Sequence, residues 1–181
     1  LKADYGVYKA VEFTGPVLQE LSISERMALC NMTTELGAKT AYIQPDDITC
    51  AWLSEHGITD YTIYETDPDY QYAADLSFDI SGFEPYTAVP FSVDNGASLG
   101  SVAGLHVDQA YLGSCTGGRV PDFRAAARIL AGRHIAAGTR MVIVPASRFV
   151  LRECLEKGYI QTLLEAGATL TAPGCAACLG I

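Results

Sequence analysis

The feature that constrains the fold most is the rhythm of the last third, where strand-type and helix-type segments alternate without interruption. "VDQAYLGS" reads as a strand and "PDFRAAARILAG" as a helix, with Pro121 in its first turn and Gly132 just past its end. "TRMVIVPAS" follows as a strand, "RFVLRECLEKG" and "YIQTLLEAG" as helices, and "ATLTAP" as a closing strand. This succession predicts a parallel sheet with right-handed crossovers, because the chain must return to the same edge before each new strand. All strands of such a sheet end on one edge, and loops there hold the ligands of open α/β folds. Cys115 follows the first strand, Ser147 the second, and Cys175 and Cys178 the third. The three thiols are therefore expected to face one another.

The first part of the chain is less regular. "AVEFTGPVLQEL" starts as a strand and turns at Gly15-Pro16, and "SISERMALCNMTTELGA" reads as one helix, with Ser22 and Glu25 spaced as a capping box and Gly37 as its stop. "AYI" is a short strand, and "PDDITCAWLSEHG" is a helix opened by Pro45 and Asp46 and closed by Gly57. Residues 58–81 are rich in tyrosine and acid and read as strands and turns. Pro, Gly, Ser and Asn become frequent from Glu84 to Gly104, which predicts two α/β domains, residues 1–98 and 99–181.

At 181 residues the chain buries a core without needing disulfides or metal for stability. It holds no apolar run of membrane-spanning length, and its start lacks the basic-then-apolar profile of a signal peptide, so a cytoplasmic protein with no membrane partner is expected. A net charge of −9 disfavours nucleic acid as a partner. The charge is uneven: residues 1–39 carry −1, residues 40–118 carry −12 with no Lys or Arg, and residues 119–181 carry +4. The middle segment reads as a solvated acidic face, and the basic last third suits an anionic small molecule.

A CxxC pair has several meanings. A thioredoxin-type pair opens a helix, whereas Cys175 and Cys178 follow a strand with no helix after them. Structural zinc takes four ligands, and His56, His106 and His134 lie on none of the three loops. Three thiolates framed by glycines suit an iron-sulfur cluster, and three ligands for four irons leave one metal position open for Lewis-acid chemistry. Three cysteines packed in a core is the competing reading. Cys30, Cys50 and Cys154 lie on helices and read as small buried hydrophobes.

Three segments, "CNMTTELGA" at 30–38, "GSCTGGR" at 113–119 and "PGCAACLG" at 173–180, together resemble the aconitase superfamily, and most closely its branch of isopropylmalate dehydratase and homoaconitase large subunits. The resemblance runs from about Val11 to Leu179. It implies two three-layer α/β domains of the aconitase iron-sulfur type and a 4Fe-4S cluster held by Cys115, Cys175 and Cys178. It also implies a hydro-lyase or isomerase acting on a hydroxy di- or tricarboxylic acid, with Asn31 and Glu35 as the catalytic pair near the cluster and its bound water. On a continuous helix those two residues, i and i+4, share one face. The family's partner is a small subunit whose swivelling domain delivers a serine base.

Two departures accompany the resemblance. Gly117 stands where the family loop usually carries Asn, which removes an amide near the cluster. The family segments that bear catalytic histidines, an aspartate and substrate-binding arginines have no counterpart in these residues, so the chain is expected to be an excerpt of a longer enzyme and inactive alone. The alternative is a non-catalytic fragment, or a zinc-binding structural module without a cluster. Arg119 and Ser147 are candidates for facing a substrate carboxylate, against the plainer readings of a surface arginine and a helix N-cap.

Overall fold

A computed structural model describes residues 1–175 and Cys178. Ala176, Ala177, Leu179, Gly180 and Ile181, which complete the closing motif, lie outside the described residues. The chain is mixed α/β with parallel sheets and divides into two compact units, 1–23 with 33–105, and 24–32 with 106–181. The helix expected to belong with the first domain thus counts with the second.

In the first unit, strand β1 (Ala10–Phe13) pairs in parallel with β2 (Thr40–Ile43), Ala10 opposite Thr40. A 3-10 turn at Pro16–Glu20 follows β1 and buries Leu18. The "SISERMALCNMTTELGA" segment is not one helix. Helix α1 (Ile23–Met32) gives way to a 3-10 turn over Thr33–Leu36, after which Gly37 takes a positive φ of 76°. Tightening to 3-10 geometry is common at a helix C-terminus, and the paired β-branched Thr33 and Thr34 do not favour continuing the α-helix. Helix α2 (Asp47–Glu55) matches expectation: the Asp46 carboxylate accepts from the Thr49 backbone N–H at 3.1 Å.

Residues 58–81 differ from expectation, since none of them forms a strand. The alternating Leu76, Phe78 and Ile80 are exposed, so the period-2 pattern is present without a paired strand. Part of this stretch is tied to β1 through Glu12, whose carboxylate accepts from Thr66 Oγ1 at 2.7 Å and from the Tyr72 hydroxyl. A hairpin, β3 (Tyr86–Ala88) against β4 (Gly96–Ser98), closes the unit.

The second unit follows the rhythm of its sequence. Strands β5 (Gln109–Gly113), β6 (Arg140–Val144) and β7 (Thr169–Leu170) form a parallel sheet in that order, with Leu112 opposite Ile143 and Ile143 opposite Leu170. The short helix α3 (Ser114–Gly117) and then α4 (Val120–Leu130) follow β5. Helices α5 (Arg148–Glu156) and α6 (Tyr159–Glu165) follow β6, joined through Gly158 in the left-handed region. Phe123, Ile143, Cys154, Ile160 and Leu163 are fully buried in one cluster, so all three longer helices share a single core with the sheet. Each such Phe, Ile or Leu contributes roughly 1.5–3 kcal/mol by leaving water. Among the described residues no helix is long and apolar enough to cross a membrane.

Candidate functional site

The loop after β5 is built by glycines that let two backbones touch. A Cβ on Gly113 would stand 2.7 Å from Val144 Cβ and 2.8 Å from the Val144 carbonyl oxygen. At Gly118 it would stand 2.6 Å from the Ser114 carbonyl oxygen and closer still to that of Val144. The loop therefore lies against the end of β6, where the Ala146 N–H donates to the Gly118 carbonyl at 2.8 Å. Between these glycines the buried Ser114 adopts a φ of 60°, unusual for a residue with a Cβ, and turns the chain into α3 with Cys115 half-buried. Nothing lies within 4 Å of a Cβ built on Gly117, so its missing side chain is not demanded by packing.

Two side chains converge on the Cys115 carbonyl. Asn31 Nδ2 donates to it at 3.2 Å from α1, and Arg119 Nε at 3.0 Å from the start of α4. Arg119 Nη1 also contacts Met27 Sδ at 3.0 Å. Its backbone N–H donates to the Asp122 carboxylate at 3.0 Å, capping α4. Burial pushes the Arg119 pKa down, and the neighbouring Cys115 and Asp122 oppose that shift. Arg119 is thus a partly desolvated cation turned toward a carbonyl and a thioether.

After β7 the Thr171 N–H donates to the Ile143 carbonyl at 3.1 Å, and the chain reaches Cys175. The Cys178 N–H and Sγ both approach the Cys175 carbonyl, at 3.1 and 3.0 Å. The Cys175 thiol is pushed above its ordinary pKa first by Cys115, then by burial and by Cys178, with hydrogen bonds to both thiols adding to the shift. Cys115 and the CxxC pair are therefore neighbours, as the parallel-sheet argument expects. Among the described residues, however, no group of three or more His, Cys, Asp or Glu side chains is arranged to hold a metal ion. The thiols meet as neighbours and do not converge as a closed ligand set. The donor chemistry fits an iron-sulfur cluster, since soft thiols come from two loops at the carboxyl edge of one parallel sheet.

Nothing in the sequence marks Tyr111, yet it lies near the three cysteines. Its hydroxyl is buried and makes no hydrogen bond among the described residues. Burial raises its pKa first, then the charge of Cys178, with Cys175 and Cys115 adding to the shift. Its place opposite Val142, one residue before the core-facing Leu112, is the signal that was available: alternation puts its side chain on the other face of the sheet.

Glu35 is exposed on the 3-10 turn after α1, in the first unit, and its carboxylate makes no hydrogen bond or ion pair among the described residues. The Ser147 hydroxyl accepts from the Val150 N–H at 3.2 Å and is the N-cap of α5. Cys154 is fully buried, with its thiol pushed up to about 11 by desolvation. The first unit also has an open cleft of about 290 Å³ between β1 and the tyrosine-rich stretch. Glu12, Glu65 and Asp67 line it, so it repels an acidic substrate.

A mixed α/β chain with a glycine-framed cysteine loop at the carboxyl edge of a parallel sheet is one frame in which metal-dependent enzymes set their cofactor. The sequence profile of the aconitase family (aconitate hydratase) matches residues 1–104 and 98–181. Among curated relatives, the 3-isopropylmalate dehydratase large subunit 1 of Methanopyrus kandleri is 43% identical over 98% of this chain and 43% of its own length. The probable methanogen homoaconitase large subunit of Methanosarcina mazei is 43% identical over 96% of this chain and 44% of its own. The 3-isopropylmalate dehydratase large subunit of Lachnoclostridium phytofermentans is 37% identical over 98% and 42%. The chain belongs to the aconitase family. It spans less than half the length of these relatives.

Proposed function

We propose that the whole protein is an aconitase-type hydro-lyase that dehydrates and rehydrates a hydroxy di- or tricarboxylic acid of the 3-isopropylmalate or homocitrate class, working in the cytoplasm with a small subunit. In this reading Cys115, Cys175 and Cys178 hold a 4Fe-4S cluster. The observation that supports it most is that Cys115 follows β5 while Cys175 and Cys178 follow β7, so loops from opposite ends of the second unit leave the same edge of its parallel sheet. When bound, the cluster supplies a Lewis-acidic metal position that takes up negative charge as hydroxide leaves.

The chain's own residues take the remaining roles. The Asn31 amide, already beside the Cys115 peptide, is a hydrogen-bond donor at the edge of the site. Glu35 supplies a carboxylate to exchange a proton with the departing water. The surplus of basic residues in 119–181 favours an anionic substrate. The small subunit is supported by the relatives' designation as large subunits.

The test is a turnover assay of the whole protein, co-produced anaerobically with its small subunit, against a panel of hydroxy acids. Formation of an unsaturated acid from a branched malate or homocitrate, lost in Glu35→Gln, is the expected result. Absence of turnover on every hydroxy acid by a cluster-loaded complex contradicts the reading.

A further inference from the structure

We propose that Arg119, together with Asn31, is a positioning residue for Cys115: the two side chains clamp the Cys115 carbonyl and fix the direction in which its thiol is presented. This inference rests on the cluster reading for its purpose, but the clamp belongs to the chain without any metal.

The geometry has three parts. First, the Cys115 carbonyl receives two side-chain donors, Arg119 Nε at 3.0 Å and Asn31 Nδ2 at 3.2 Å, in addition to whatever its place in α3 provides. Two donors from different elements restrict the rotation of a peptide plane more than either alone, and that plane sets the Cα–Cβ direction of Cys115. Second, the guanidinium is itself held. Nη1 reaches Met27 Sδ at 3.0 Å, and the Arg119 backbone is fixed by Asp122 at 3.0 Å, so the fork approaches from a rigid helix start. Third, the loop on either side has no slack, because Gly113 and Gly118 pack against the Val144 backbone. A peptide plane anchored at both flanks and bonded twice in the middle leaves the Cys115 side chain little freedom. That is what a ligand thiol needs in order to meet partners sixty positions away.

This assigns Arg119 a role different from substrate binding. Its planar fork serves two acceptors at once, which a lysine ammonium on a flexible stem does not reproduce.

The test compares the metal-free 181-residue chain under anaerobic, reducing conditions as wild type, Arg119→Met, Arg119→Lys and Asn31→Ala. N-ethylmaleimide labelling of Cys115 is followed by peptide mass spectrometry across pH, and the plateau rates at high pH are compared so that thiolate fraction drops out. The buried Cys154 reports global unfolding in the same samples. Arg119→Met is expected to raise the Cys115 plateau rate about fivefold or more, Asn31→Ala about twofold, and Arg119→Lys to restore only part of the protection, with Cys154 labelling unchanged. Equal Cys115 plateau rates in wild type and Arg119→Met overturn the proposal. If Arg119→Met unfolds, as faster Cys154 labelling would report, Asn31→Ala decides, and an unchanged rate there overturns it. Failure of the wild-type chain to take up iron and sulfide counts against the cluster reading and leaves the labelling result standing.

Discussion

Asn31 Nδ2 lies 3.2 Å from the carbonyl oxygen of Cys115, joining two residues 84 positions apart. The CNM segment and the SCTGGR segment thus form one structural feature, and the hydrogen bond runs to the backbone of the cysteine loop, where it sets the loop's shape. From that contact and its glycine frame, consequences follow for single substitutions.

Gly117 and Gly118 should not behave alike. Gly118→Ala forces a Cβ against the Val144 and Ser114 carbonyl oxygens and is expected to cost about 1–3 kcal/mol by overpacking. Gly117→Ala and Gly117→Asn enter open space and should stay within about 0.5 kcal/mol of wild type. Urea unfolding of the three variants checks this contrast, and equal destabilisation at 117 and 118 would contradict the close-approach account.

Ser147 is expected to act through α5. Ser147→Ala removes the oxygen that accepts from the Val150 N–H and should lower stability by about 1 kcal/mol. Iron and sulfide uptake should be unchanged. Ser147→Asp, which keeps a capping acceptor, should restore most of the loss in thermal unfolding, whereas a binding role would not tolerate the added charge.

Alkaline pH should weaken the fold through Cys154. Its thiol is pushed from an ordinary value of 9.0 up to about 11 by burial, so the folded state keeps a proton that the unfolded chain gives up. The stabilisation is complete below pH 9, falls as pH rises from 9 toward 11, and levels off above that. A two-unit shift corresponds to an effect on the order of 2 kcal/mol. Unfolding midpoints of wild type and Cys154→Val, compared at pH about 8 and about 10.5, isolate it from the tyrosines and lysines that titrate in the same range. The wild type should lose more stability between the two, and parallel losses would rule out Cys154 as the source.

Much of the second unit was legible in its sequence. Pro121, Gly132 and Gly158 punctuate the helices, and the strand-helix succession leaves few alternatives to a parallel sheet, so the approach of Cys115 to the closing pair followed from topology. The first unit was harder. Leu76, Phe78 and Ile80 alternate as a strand does, but alternation encodes which face is apolar and says nothing about a partner strand; here they stand 47%, 66% and 50% exposed. The switch from α1 to a 3-10 turn was also hidden, because helical spacing in Asn31-x-x-x-Glu35 looks the same whichever way the last turn winds. The Arg119 and Asn31 bonds were illegible for a different reason: their acceptor is a backbone carbonyl, and every residue has one. Tyr111 escaped notice because strand aromatics are commonplace and only burial of its hydroxyl sets it apart.

If three thiols from two loops hold one cluster, anaerobic reconstitution of the chain with iron and sulfide should depend on all three. Quantifying iron, acid-labile sulfide and visible absorption in wild type, Cys115→Ser, Cys175→Ser, Cys178→Ser and Cys154→Val separates ligands from a buried bystander. Wild type should turn brown with about four irons and four sulfides per chain, both lost in each of the three ligand variants and fully retained in Cys154→Val. A colourless protein that binds zinc stoichiometrically, or a cluster that survives Cys115→Ser unchanged, would contradict it.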